Sequence, residues 1–206
     1  RVVIRQLPVY PFSTLSFTSG AAPMPYHHLA LAVRDMPAVD AFYTHAMGFD
    51  LVHVEVNKSP EGGWAKHFFY DTGEGEMMAV WELHDGPYPT DFETSISRSA
   101  GLPAWTNHVA FKAADLEEIA KFRDRWLEHG YDVVEIDHHW CVSIYTTDPN
   151  GTLVEFCVTT APFDGSSRAR ARKAIVSDDL DHDSDPSVTF HRTEVEPIHL
   201  RQPSSG

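Results

Sequence analysis

The feature that most constrains this chain is a repeat. Tyr26-His27-His28-Leu29-Ala30-Leu31 and Thr106-Asn107-His108-Val109-Ala110-Phe111 are short apolar strand candidates, each with a histidine at its start. Counting from His28 and His108, an Asp follows at +7 (Asp35, Asp115), an apolar residue at +11 (Val39, Ile119) and Phe at +14 (Phe42, Phe122). A glycine then stops the helical pattern at +20 (Gly48) and +22 (Gly130), followed by Phe-Asp-Leu-Val and Tyr-Asp-Val-Val. The two blocks close on strands holding one acid each, Trp81-Glu82-Leu83 and Val154-Glu155-Phe156. A fold built twice from one plan is the simplest account.

Each block reads β-α-β-β-β. In the first, about residues 25–85, His28, Ala30 and Ala32 point one way and Leu29, Leu31 and Val33 the other. Asp35 caps a helix, with Pro37 in its first turn. Strands follow over residues 49–56, 64–70 and 77–84. In the second, about residues 105–160, Leu116, Ile119, Phe122, Trp126 and Leu127 mark one apolar helix face. Strands follow over residues 131–136, 141–147 and 152–159, with Asp148-Pro149-Asn150-Gly151 as a hairpin turn. The fold class is α+β, with both modules in one domain spanning residues 24–161. Residues 86–104, rich in Pro, Gly, Ser and Thr, form the linker. Residues 1–23, with a short strand candidate at Val2-Val3-Ile4, read as an extension outside the fold. Residues 162–206 read as a charged, flexible tail, basic over 168–173 and acidic over 178–185. Within it, Ser187 to Phe190 has the pattern to add to a sheet or clasp a partner subunit.

Charge and composition exclude several classes. The formal net charge of -14 repels nucleic acid and anionic membrane. No apolar run has the length of a membrane span, and the start lacks a signal-peptide core. Cys141 and Cys157 lie in no CxxC and read as reduced thiols, which points to the cytoplasm.

Two copies of His…Glu on matching strands point to a divalent metal site, which needs three or four N and O donors at one point. The repeat nominates His28, Glu82, His108 and Glu155. Glu155 lies in Leu-Val-Glu-Phe-Cys-Val, where an unpaired acid is costly to bury. Glu82 shares a strand face with Val80 and His84, whereas Glu155 lies opposite Val154 and Phe156. His27 replaces His28 only if the register slips by one. His84 and His139 lie near strand ends. Trp64, Phe68, Trp81 and Trp140 line a cavity or belong to the core.

These blocks, with Ser143-Ile-Tyr-Thr-Thr-Asp-Pro-Asn-Gly-Thr-Leu-Val-Glu155-Phe, resemble the vicinal oxygen chelate superfamily. That group includes glyoxalase I, type I extradiol dioxygenases, fosfomycin-resistance enzymes and bleomycin-binding proteins. The resemblance covers about residues 25–160. It implies paired modules curled round one divalent ion (Fe, Mn, Ni, Co or Zn), a small substrate with two adjacent oxygens, and a homodimer. It implies first a glyoxalase-like isomerase or lyase. There all four candidates hold the metal, the metal stabilises an enediolate, and Glu82 or Glu155 moves the proton. The alternative is an Fe(II) extradiol dioxygenase. It needs only His28, His108 and Glu155, and Tyr145, ten residues before Glu155, matches a catalytic Tyr. Such enzymes carry a further His where this chain has Gly75-Glu76-Met77; His67, His84 or His139 are the substitutes at hand. A third reading is an antibiotic-binding protein without turnover.

Overall fold

The computed structural model describes residues 25–201. The extension read over residues 1–23 and its strand candidate lie outside them. The first module contains β1 (His28–Val33), α1 (Met36–Ala41), β2 (Asp50–Lys58), β3 (Trp64–Gly73) and β4 (Glu76–His84). Asp35 caps α1 by accepting from the Ala38 amide, and the helix runs on as a π-helical turn over Phe42–Ala46. The four strands form one sheet in the order β1-β4-β3-β2, with β1 parallel to β4 and the other pairs antiparallel.

The linker holds one short helix, α2 (Ile96–Ser99), capped by Ser95. The second module then repeats the plan with β5 (His108–Lys112), α3 (Leu116–Glu128), β6 (Val133–Asp137), β7 (Cys141–Thr147) and β8 (Leu153–Thr159). Asp115 caps α3 as Asp35 caps α1. The module is followed by α4 (Gly165–Ala174) and β9 (Ser187–His191). The second sheet has the order β5-β8-β7-β6-β9, again with a parallel pair, β5 and β8.

The segment read as a flexible tail is therefore structured over much of its length. Val188 and Phe190 alternate with polar residues, and the edge of β6 offers unpaired backbone groups, so β9 pairs antiparallel along it. Arg192 reaches Asp132, and the Ile198 amide donates to the His129 carbonyl. The chain crosses Gly130 so closely that a Cβ there would stand 2.5 Å from the Glu196 backbone. Only α4 stays bare. It buries no residue, and its Arg170 is held by Asp183 and the Asp181 carbonyl. Basic helix and acidic stretch satisfy each other.

The helical sides of both sheets meet in a single core. Val39, Phe42, Tyr43 and Met47 from the first module join Ile119, Trp126, Ile144 and Val154 from the second. Phe42 packs edge-on to Tyr131 and Phe49 to Phe111 across the module boundary. Losing a side chain such as the fully buried Trp126 costs about 3–5 kcal/mol.

The Asp148–Gly151 turn is a second joint between the modules. The Tyr43 hydroxyl donates to Asp148, the Arg34 amide to the Asn150 side chain, and the Thr94 hydroxyl to the Asn150 carbonyl. Burial, partly offset by hydrogen bonds from the Thr152 amide, Tyr43 and the Asn150 amide, pushes the Asp148 carboxyl up to about 6. Gly151 adopts φ 82°, and a Cβ there would strike the Arg98 guanidinium. Among the described residues, no helix is long and apolar enough to cross a membrane.

Candidate functional site

With one side of each sheet given to the core, the other side is left for chemistry. On the second sheet this bare face carries His108, Ala110, Glu155, Cys157, Ser143 and Tyr145, because strand parity sets them opposite Val154, Phe156 and Ile144. His108 Nε2 stands 3.1 Å from Glu155 Oε2. The carboxyl is buried at 5% exposure, while the His108 side chain remains open. His108 Nδ1 lies 3.2 Å from the Trp105 carbonyl oxygen. A carbonyl only accepts, so the Nδ1 proton is committed there. Nε2 then faces the carboxyl oxygen, either as a second N–H donor to it or as a lone pair that shares a cation with it.

Tyr145 is the direct cross-strand partner of Glu155. Burial raises its phenol well above the usual value, Ser143 opposes that, and the charge and hydrogen bonding of Glu155 raise it further. His138 Nε2 lies 3.2 Å from the Tyr145 hydroxyl. A chain of polar groups thus runs His138, Tyr145, Glu155, His108. His138 is the member that sequence reasoning missed. Its signal was its position just beyond the strand now defined as β6, on the hairpin that faces Tyr145.

The first sheet presents its own bare face, with His28, Ala30, Phe69, His67, Trp81, His53 and Glu55. His28 is exposed and packs edge-on to His67 and Phe69. His67 is 5% exposed, stacks on Trp81 at 3.7 Å, and has an Nε2 with no partner. Burial, then the nearby His28, lowers its pKa and keeps it neutral.

Glu82 is not on this face. Ala110 pairs with Glu155, but the corresponding Ala30 pairs with Ala79, and Glu82 pairs with Val33 three positions on. An odd shift moves a side chain through the sheet. Glu82 therefore lies on the helical side with Met78 and Val80, held by Lys66 at 2.8 Å and with His84 Nε2 at 3.0 Å. Burial opposes ionisation of Glu82, but Lys66 and His84 outweigh it and hold its carboxyl below the usual range. The mirror of Glu155 is Ala79, so the structure does not place Glu82 in a ligand set with His28.

The other residues fall out as follows. His84 stacks on Trp64 at the end of the helical side. His139, with φ 69°, reaches the Asp185 carbonyl and anchors the tail. Trp140 packs on Phe163 at the surface. Phe68 packs against the core, and only Trp81 of the four aromatic candidates lies on a bare face. Within one chain, no three His, Cys, Asp or Glu side chains converge to hold a metal among the described residues. The chain brings His108, Glu155 and Tyr145 together and leaves His28 on a separate surface.

Residues 26–156 match the model of the glyoxalase/bleomycin resistance protein/dioxygenase superfamily. Among solved structures, a glyoxylase/bleomycin resistance protein/dioxygenase domain from Frankia sp. EAN1pec is 13% identical with a TM-score of 0.51, covering 67% of this chain and 99% of its own. A lactoylglutathione lyase from Agrobacterium tumefaciens is 22% identical at a TM-score of 0.44, covering 66% and 95%. The fosfomycin resistance protein FosX from Listeria monocytogenes is 19% identical at 0.46, covering 69% and 95%. No curated protein matches the chain. The first of these likenesses speaks to the fold, and the span matched by the family model speaks to descent. With two βαβββ modules, strand order included, this chain belongs to the glyoxalase/bleomycin resistance protein/dioxygenase superfamily.

Proposed function

We propose that this chain is a metal-dependent enzyme of the three-ligand kind, an extradiol-type oxygenase acting on a small aromatic substrate with two adjacent oxygens. The observation that carries this reading is the His108–Glu155 pair, whose Nε2 and carboxyl oxygen stand 3.1 Å apart on the bare face of the second sheet. Two such donors at that spacing suit neighbouring positions on one divalent cation, and the Trp105 carbonyl sets the imidazole as outer-shell partners of metal-bound histidines do. His28 supplies the third donor. Among the described residues of one chain no third ligand reaches the pair, and the first module of a second copy would bring it, giving a twofold dimer with two equal sites.

Two imidazoles and one carboxylate suit Fe(II) with open positions. When bound, the ion supplies a Lewis acid that draws both substrate oxygens to one point. The chain's own residues do the rest. Tyr145 keeps its proton across the neutral range, ready for a substrate oxygen, and His138 aims its hydroxyl. Ala30 and Ala110 leave space above the sheets, and Phe69 and Trp81 offer a flat aromatic wall. The isomerase reading asks for a fourth ligand, a second carboxylate, that also moves a proton. Ala79 occupies that place.

The test is protein purified without oxygen, loaded with Fe(II), and given catechols in an oxygen electrode. One iron per chain with catechol-dependent oxygen uptake supports the proposal. Bound nickel, zinc, cobalt or manganese with no uptake returns the chain to the isomerases and lyases. No metal at all, with retained affinity for small aromatics, makes it a binding protein.

A further inference from the structure

The outer edges of the two sheets are treated differently. In the second sheet β6 is covered by β9. In the first, among the described residues, β2 pairs only with β3, and no described strand lies along its other edge at residues 50–58. This strand lacks the usual protection. It has no proline, its one lysine is at its end, and its single register shift, between Leu51 and His53, is near its start. Val54 and Val56 are 43% and 62% exposed, and α1 does not reach over them.

The sequence Asp50-Leu-Val-His-Val-Glu-Val-Asn-Lys58 is complementary to itself read backwards. Laid antiparallel on a second copy with Val54 opposite Val54, it sets His53 opposite Glu55 and Glu55 opposite His53. Val56 then lies beside the bulged Val52, where strict pairing ends, and Lys58 falls near Asp50. The His–Glu pairs form twice on the bare face and the valines pack on the other, the arrangement that stabilises antiparallel sheets. Neighbouring symmetric registers do worse. Centring on Glu55 sets two carboxylates against each other, and centring on His53 leaves Glu55 opposite Leu51.

We propose that β2 is a docking edge for β2 of a second copy of this chain, joining two four-stranded sheets into one of eight strands through a twofold axis at Val54. The edge lies on the far side of the first sheet from β1, so the contact leaves His28 free. It does not rest on the oxygenase reading, and metal and oxygen assays do not bear on it.

The test uses the full chain. Val54→Lys puts two ammonium groups face to face on the axis at a position already open to water. By light scattering over a range of concentrations, its molar mass is expected to be half that of the wild type, with an unchanged circular dichroism spectrum. Under mild oxidation Val54→Cys is expected to give a covalent dimer on a non-reducing gel. Val56→Cys, which lies beside Val52, gives little. Equal masses for wild type and Val54→Lys overturn the proposal. So does a Val54→Cys protein that crosslinks no better than Val56→Cys.

Discussion

The two modules carry the same plan to different ends. On the second sheet four polar side chains lie side by side on one face, with His138 in reach of Tyr145, Tyr145 paired across the strands with Glu155, and His108 and Glu155 3.1 Å apart. On the first sheet the matching face is a cluster of rings, and the place that mirrors Glu155 is Ala79. The second module has a carboxylate on its bare face, while the first has an imidazole and an aromatic floor there. One position on one strand makes that difference, without a change in topology.

The largest expected effect tests the stronger half. Replacing His108 or Glu155 with Ala should weaken divalent-metal binding by ~100-fold or more in titration calorimetry. If either variant binds as the wild type does, the second sheet is not the anchor. Sharing between copies can be tested next. His28→Ala and His108→Ala proteins, each inactive alone, should regain about one quarter of wild-type metal sites when co-refolded in equal amounts, since mixed dimers have one intact site. No recovery means that both halves act within one chain. Tyr145→Phe should lower turnover by about 100-fold while leaving metal affinity unchanged. Loss of both together would make Tyr145 a structural prop for Glu155.

Smaller effects probe the joint and the discarded ligand. The Asp148 carboxyl is raised from 3.8 to about 6 by burial, so its stabilising contribution is full below the lower value and is lost as pH rises through the higher. Urea denaturation should show a decline in wild-type stability on the order of 3 kcal/mol across that window. Asp148→Asn should flatten it. The smallest change belongs to Glu82→Gln, which should alter metal binding by less than ~2-fold, below the threshold of a lost ligand. A large loss there would restore the four-ligand arrangement and require the first sheet to shift register.

Much of the fold is written locally. Asp35 and Asp115 cap helices where their spacing says they should, and the alternation around His28 and His108 sets both on bare faces. Glu82 shows where local spacing stops. The 54-residue separation from His28 against 47 in the second block looks like loop length. Loop length alone, however, does not say whether a strand arrives in odd or even register. The clue was parity within the strand itself. Glu82 shares a side with the core residue Val80, and Glu155 lies opposite the core residue Val154. The tail was legible in part. Ser187 to Phe190 has the pattern to add to a sheet and does so, but the pattern does not say that the edge of β6 is its partner.

The Tyr43–Asp148 bond has a consequence for how the molecule is made. Its partners are 105 residues apart in sequence. At about 5–20 residues per second, the first half emerges from the ribosome roughly 5–20 s before its acceptor exists. Throughout that interval the part of the first module's core that packs on the second module stays uncovered. The nascent chain is therefore most exposed to chaperones and to aggregation midway through synthesis, and closing the last hairpin ends that exposure.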